Sequence, residues 1–465
     1  MKKNSIGRRQ FVRYSAAGIA AIASAKTLAE ESIASAQSSE NHHNEETKDT
    51  DVLVVGGGTA GVIAAIQAAR AGCRTILVEN GSMLGGTTTV GGVAFPGLFH
   101  AWGRQIIAGI GWELVTETVE LDDGTLPDFS IPTGKAHPRH QVRINPNIYA
   151  LLAEEKCLQA DVEIRYYETP VKAEYAEGWW NIEVVGKGTR LTIRCRQLID
   201  CTGNGYMTAL AGYPVSREDV TQPGTLMFKI GEYDSRSVDR KQLREKYEEA
   251  VKDGRLVRKE FRNRIERLLQ SAGNNIHHIS NADSTTSAAH TATNIESRAT
   301  LLETLRFLRE EVPGCDKTKL LSMQPETAVR ETYRIEGEYE ITESDYTSVR
   351  LFDDAVSYSF YPIDVHDDHG VRPEHLSEGV FPTVPLRALV PKNSKNLLVA
   401  GRSVSSDRRA NSALRVQASC MAMGQAAGAA AVLAVARNTT TLEVPLKDIR
   451  TLLAEHNAIL PEANA

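Results

Sequence analysis

The sequence predicts an α/β fold in which a parallel sheet carries an antiparallel β-meander and receives an inserted α+β segment. Three stretches predict it. Apolar residues 52–55 run into Gly56, Gly57, Gly58 and Gly61 at the head of an Ala-rich helical pattern, and a second apolar run, 75–78, follows at parallel-crossover spacing. Short alternating runs at 162–167, 170–175, 179–185 and 190–194, broken at Glu177-Gly178 and Gly186-Lys187-Gly188, read as a meander. Residues 396–402 supply a late parallel strand, followed by a small-residue helix over 412–436.

The first stretch is the most informative. Gly56 allows the tight turn out of the strand, Gly58 lets a pyrophosphate lie against bare backbone, and Gly61 lets the helix press close to the sheet. Thr59 and Ala60 open that helix, whose N-terminus offers free N–H groups and partial positive charge to phosphates. This is a Rossmann-like unit. Glu79, 23 residues after Gly56, can accept hydrogen bonds from a ribose 2′-OH and repels a 2′-phosphate, so the ligand is FAD or NAD rather than NADP. The following stretch, with Gly85, Gly86 and Thr87, is an extension that NAD domains do not need. It resembles the double-glycine stretch of FAD-dependent oxidoreductases, and the resemblance selects FAD.

In chain order, residues 1–36 come first. Lys2, Lys3, Arg8, Arg9 and Arg13 precede a mildly apolar run and the small-residue sites 23–25 and 34–36, the pattern of an export signal too short and too weakly apolar to span a membrane. Arg8-Arg9-Gln10-Phe11 is similar to a twin-arginine motif, which implies recognition by that export machinery and a periplasmic or secreted protein. Residues 37–50 read as a polar linker. The FAD-binding domain is expected over 51–215 and 385–440, with a helix at 147–158 and an irregular excursion at 116–143. Residues 216–384 break the pattern and read as a cap or substrate domain, with charged helix at 237–271, amphipathic helix at 290–312, and strands at 329–346 and 349–360. Residues 441–465 carry a C-terminal surface helix.

Composition bounds the function. The chain is 42% apolar and 24% charged, ordinary for a globular protein. Six Lys/Arg and two Asp/Glu lie in residues 1–36, so their removal takes the net charge from −6 to −10. That acidity argues against nucleic acid and anionic membrane surfaces as partners. The six cysteines form no C-x-x-C pair, which excludes a redox disulfide and a zinc site of that type, and no metal is expected.

Three separated blocks now agree: the fingerprint at 56–61, the strand and turn ending Cys201-Thr202-Gly203-Asn204, and Ala400-Gly401-Arg402 with 414–428. The Cys201 turn is similar to the Ala-Thr-Gly-Asp turn that follows the meander in flavoproteins of the glutathione-reductase superfamily. With 222–227, 329–335 and 361–366, the blocks resemble secreted bacterial FAD-dependent oxidoreductases distantly related to fumarate reductase flavoproteins. The chain departs at Asn411, where similar proteins often carry His. The resemblance implies cofactor contacts from Cys201, Gly203, Gly401, Arg402 and Val171. It also implies a last helix aimed at the flavin, with N–H groups near Met421 to Gly424 and added charge from Arg415, which otherwise serves as a structural arginine.

Dehydrogenation over a flavin needs a base for the accompanying proton, whereas fumarate-like reduction of an activated C=C bond needs an acid and a carboxylate clamp. His366 is the leading base candidate, with Asp364 on its own strand face to orient it; Tyr361 opens the same run. Arg330 and Arg334, four apart, share a face and either bind a substrate carboxylate or pair with Glu331, Glu336 or Glu338. His100, His278 and Asp283 are further candidates, His100 for covalent flavin attachment. The expectation is an FAD-dependent oxidoreductase acting on a small polar organic molecule and passing electrons to an unidentified acceptor. A non-catalytic FAD module is the alternative from another class.

Overall fold

The computed structural model describes residues 46–131, 136–236, 238–258, 261, 264–348, 350–367, 370–371 and 373–462; the expected export signal and most of the linker lie outside them. The central sheet is assembled from β1 (Glu46–Val55), β2 (Thr75–Glu79), β3 (Glu163–Tyr166), β4 (Thr169–Ala176), β5 (Trp179–Gly186), β6 (Thr189–Asp200) and β9 (Leu397–Val399). Its order is β3-β2-β1-β6-β5-β4, with β9 on β6. β1 starts at Glu46, so the end of the expected linker is already strand. β1, β2 and β3 are parallel neighbours, as are β6 and β9, while β4, β5 and β6 run antiparallel. Residues 162–167 were expected in the meander, but β3 pairs with β2 as the outer parallel strand.

β6 joins the two halves. Its first residues alternate buried and part-exposed against β5, and from Gln197 to Asp200 every residue is buried beside β9. The change marks where one covered face becomes two.

Helix α1 (Thr59–Arg70) is covered by α8 (Gln417–Arg437), whose small residues allow close approach. A Cβ on Gly424 would lie 2.3 Å from the Ala60 carbonyl oxygen, and one on Gly428 2.6 Å from that of Ala64. Among the described residues α8 alone is long and apolar enough to cross a membrane, and it is buried in this core. α2 (Ile110–Leu121) and α3 (Pro146–Gln159) flank it; α2 occupies the start of the expected irregular excursion. Asn145 caps α3 by accepting from Asn147 N at 3.1 Å.

Between the meander and β9 the chain builds a second apolar cluster from 226–315, including α4 (Arg240–Lys252), α5 (Ile265–Gln270) and α6 (Ser287–Glu311), beside β7 (Phe228–Gly231) and β8 (Lys319–Met323). The expected helix over 237–271 is thus two helices. The strands expected at 329–346 and 349–360 shrink to Arg334–Ile335 and Ala355–Tyr358, separated by helix Glu343–Thr347. A capping box, in which Thr342 and Asp345 bond each other's backbone, starts that helix and overrides the β-rich composition. Tyr346, Val356, Tyr358 and Tyr361 pack into the same apolar cluster as α1 and α8. α9 (Leu446–Glu455) closes the chain on α8.

Candidate active site

The β1–α1 turn excludes side chains at two places. A Cβ on Gly61 would sit 1.8 Å from the Gly56 carbonyl oxygen; one on Gly56, whose φ is +98°, would sit 2.5 Å from that of Cys201. Gly58 is different: a Cβ there would meet nothing nearer than Gly86 Cα at 4.0 Å, so its open face leaves room for a ligand backbone. Gly85 N donates to the Gly57 carbonyl at 2.8 Å, laying the double glycine flush on the fingerprint loop. Gly86 must stay bare, because its Cβ would come within 2.9 Å of Gly58 Cα. The Thr87 carbonyl accepts from Val93 N and turns the chain away. Glu79 accepts from Gly57 N at 2.7 Å and Gly81 N at 2.6 Å. Burial raises its pKa and these bonds oppose the rise. Each Glu79 oxygen keeps a lone pair for a further donor.

α1 starts at Gly58 with no side-chain cap and no acid in its first turn, and α8 starts at Val416 in the same bare state. Thr59 Oγ1 lies 3.3 Å from Thr88 Oγ1, which donates to Gln417 Oε1 at 2.8 Å, so a short polar chain links the two helix starts. Two uncapped positive ends beside the open face of Gly58 fit a group with phosphates and an electron-accepting ring. The helix expected over 412–436 is broken at Arg415-Val416 into α7 (Arg408–Leu414) and α8. Val416 adopts extended backbone and packs on Gly97. Consequently the amides of Met421 and Gly424 lie inside α8 rather than at its open start. Met421 packs on Gly111, and Gly424 on Ala60. The first-turn donors are those of Gln417 to Ser419, of which Ala418 N is already given to the Pro96 carbonyl.

The Cys201 turn is shaped by a residue that motif reading passed over. Asp200, buried, accepts from Thr202 N and Oγ1 and from Thr208 N and Oγ1, all at 2.6–3.0 Å. Cys201 N donates to Val55 O at 2.8 Å, and burial pushes its thiol pKa well above the ordinary range, so it packs rather than reacts. Gly203 takes φ +73°, and its carbonyl accepts from Arg402 Nε and Thr332 Oγ1, each at 2.7 Å. Arg402 also donates to the Val329 carbonyl, and burial lowers its pKa to about 10. Gly401, at φ +102°, faces Ala60.

Residues from six segments come together around Asp364 and His366. His366 Nε2 lies 3.2 Å from Asp364 Oδ2, which fixes the proton on Nε2 and leaves Nδ1 as a buried acceptor without a partner. Burial lowers the His366 pKa to about 4; Asp364 opposes the shift, and Arg330 and Arg415 add to it. Its backbone N donates to Gln222 Oε1 at 3.0 Å, while Gln222 N donates to Glu331, itself held by Arg408 at 2.8 Å. The His278 ring stands edge-on to His366 at 5.3 Å. Arg415 Nη2 donates to the Asp364 carbonyl at 3.2 Å and lies 3.6 Å from its carboxylate. Tyr361 Oη accepts from Gln141 Nε2 at 2.9 Å, and burial raises the phenol pKa.

The expected arginine pair is split. Arg334 forks onto Glu218 at 2.8 and 2.9 Å and donates to the Ser406 carbonyl at 2.9 Å, a structural clamp remote in role from the His366 group. Arg330 instead joins that group, its Nη1 on the Pro223 carbonyl at 2.5 Å, with burial lowering its pKa to about 9. Of the other candidates, Asp283 is paired with Arg217 at 2.8 Å. His100 stacks on Phe129 at 3.7 Å, where burial lowers its pKa to about 4. Asn411 donates to Arg402 O and Ser406 Oγ and is buried. Val171 stands exposed on β4. Sequence reading gave no role to Gln141 or Thr88, and none to Gln222 beyond its place in the 222–227 stretch; their side-chain partners lie more than 100 residues away except for Thr59.

The chain is 51% identical over 41 residues to mitochondrial dihydrolipoyl dehydrogenase of Caenorhabditis elegans, a match spanning 9% of this chain and 8% of that protein. Among solved structures it is similar to p-nitrophenol 4-monooxygenase PnpA of Pseudomonas putida DLL-E4 (TM-score 0.41, 11% identity, 88% of this chain and 86% of the other). It is also similar to a geranylgeranyl bacteriochlorophyll reductase-like protein of Thermoplasma acidophilum (TM-score 0.39, 12% identity, 89% and 85%). The family model of the FAD dependent oxidoreductases matches residues 51–453, which is most of the chain. The protein therefore belongs to the FAD-dependent oxidoreductase family, an α/β flavoenzyme whose cofactor is FAD.

Proposed function

We propose that the enzyme dehydrogenates a small polar organic molecule at the site formed by Asp364, His366, Arg330 and Tyr361, between the FAD-binding domain and the 216–384 segment. The Asp364–His366 contact at 3.2 Å, with His366 Nδ1 buried and unpartnered, carries this reading. Bound FAD supplies the two-electron acceptor that takes a hydride from the substrate carbon. Every other task falls to the chain. His366 Nδ1 accepts the proton released from the substrate hydroxyl, and the Asp364 carboxylate stabilises the imidazolium that forms. Gln222, braced by Glu331 and Arg408, fixes the backbone that presents the ring. Apolar packing around Tyr361 and Tyr346 excludes water.

The Arg8-Arg9 motif supports the further proposal that the enzyme is exported by the twin-arginine route and works in the periplasm or outside the cell. Replacing Arg8 and Arg9 by Lys is expected to hold it in the cytoplasm; unchanged export would refute that part. The test of the activity is anaerobic reduction of the flavin by hydroxy compounds. His366→Asn is expected to abolish it while FAD content stays at the wild-type level. Wild-type reduction rates in that variant would remove His366 as the base.

A further inference from the structure

Among the described residues the charges around His366 do not balance. Arg330 has a hydrogen bond to one neutral carbonyl, that of Pro223, and no carboxylate of the described residues lies within ion-pair distance of it. Among the described residues the Arg415 side chain bonds Asp364 alone, and its Nε is buried without a partner. Among the described residues Asp364 is the single acid that acts on both guanidiniums; it is also bonded to His366, and Arg264 adds further positive charge beside Arg330. The rings of His366 and His278 add no negative charge. A buried cation without a counter-charge is costly, and an anionic ligand seated on it would remove that cost. The forked donors of arginine match a carboxylate better than they match a lone oxygen.

We infer that Arg330 and Arg415 together hold a carboxylate of the substrate, so that the molecule oxidised is a small hydroxy acid. This rests on the dehydrogenase reading for the reaction and goes beyond it in naming the substrate class. It also gives Arg415 a substrate role in place of the expected role beside the flavin, since its guanidinium bonds to Asp364. The arrangement has a built-in consequence. Both arginines depress the basicity of His366 in the free enzyme. A carboxylate seated on them cancels that influence, and His366 becomes a better proton acceptor once the correct substrate is bound. Neutral alcohols leave the depression in place.

The test uses the oxidised, FAD-loaded enzyme titrated with malonate, and separately with the neutral isostere malonamide, following the perturbation of the flavin absorption band. Malonate is expected to bind and malonamide to show no saturable perturbation. Arg330→Gln and Arg415→Gln are each expected to weaken malonate by about 30-fold or more, the loss typical of truncating one partner of a buried charge pair. Arg330→Lys, which keeps the charge, recovers part of that loss. Retained FAD absorbance in each variant confirms that it folds. Equal binding of malonamide, or unchanged malonate affinity in both Gln variants, overturns the inference. So does a lowered flavin reduction potential in those variants with malonate affinity intact, because it assigns the arginines to the reduced flavin. His366→Asn separates the two claims. It is expected to bind malonate within about threefold of wild type while losing turnover, and a variant that turned over normally would sink the base assignment while leaving the carboxylate site standing.

Discussion

Replacing Gly61 with Ala tests the cofactor cradle through a single methyl group. Its Cβ would lie 1.8 Å from the Gly56 carbonyl oxygen, against the 3.0 Å that real Cβ atoms keep, so α1 must move off β1 by about 1 Å. It cannot move freely. Val62, Ile63, Ala64, Ala65 and Ile66 are fully buried, and the far side of α1 touches Gly424 and Gly428. Overpacking of this kind costs about 3 kcal/mol, while the helix-propensity gain of Ala over Gly returns about 1 kcal/mol. A net loss of roughly 2 kcal/mol or more follows. The displaced helix start also weakens its hydrogen bonds to phosphate, each worth about 1.5 kcal/mol or more, so FAD binding falls at least about tenfold per bond lost. Gly72→Ala is the control. It imposes a side chain at φ +92° with nothing within 4 Å, costs about 1 kcal/mol, and leaves FAD in place. Urea titration of the FAD-free form and the ratio of flavin to protein absorbance read both effects. A Gly61→Ala protein with wild-type stability and flavin content would refute the packing argument.

Four further outcomes are expected. His366, faced by Asp364, Arg330, Arg415 and His278, has a free-enzyme pKa lowered to about 4; log kcat/KM should therefore stay level from neutral pH down to about 5 and fall below 4, whereas a break near 6.5 would contradict the burial described. His277 is buried between Phe261 and Phe228 with neither ring nitrogen paired and its pKa lowered to about 3. Its unfolded form takes up a proton below about pH 6.5 and its folded form does not. Stability is thus lost as pH falls, by about 2 kcal/mol from this one residue at pH 5, and His277→Phe should abolish that share in urea melts at pH 5 and 7. Arg334→Ala leaves buried Glu331 to Arg408 and half-exposed Glu218 without its fork, and should cost about 2 kcal/mol in folding while the flavin spectrum of the surviving folded fraction is unchanged. Gln141→Leu removes the donor to Tyr361 and should lower kcat/KM with FAD content intact; an unaltered kcat/KM would exclude Tyr361 orientation as a contributor.

The parts legible in the sequence were those fixed by short-range steric demands. Gly56 and Gly61 could be assigned tasks because a turn and a close helix approach each forbid a side chain, and the structure shows the distances that forbid it. The two halves of β6 were legible as an alternating run and a continuous one, although nothing local said that they are one strand. Failures concentrate where long-range contacts outweigh composition. Residues 329–334 are rich in strand formers, yet Glu331 is tied to Gln222 and Arg408, and Arg330 turns to Pro223, which leaves little regular backbone. The break at Val416 follows from its packing on Gly97, more than 300 residues earlier, and no periodicity in 412–436 announces it. The arginine pair failed for a related reason. Four-residue spacing places two side chains on one face only if the segment is regular, and here Arg334 meets Glu218 while Arg330 does not.

The most direct measurement is an anaerobic mixing experiment in which the FAD-loaded enzyme meets a panel of small hydroxy acids and the matching neutral alcohols. The account predicts that at least one hydroxy acid bleaches the flavin band, that its neutral counterpart does so far more slowly, and that His366→Asn with full FAD content does not respond. It is contradicted if no hydroxy acid bleaches the wild-type flavin while enoates reoxidise the chemically reduced enzyme, or if the His366 variant bleaches as fast as the wild type.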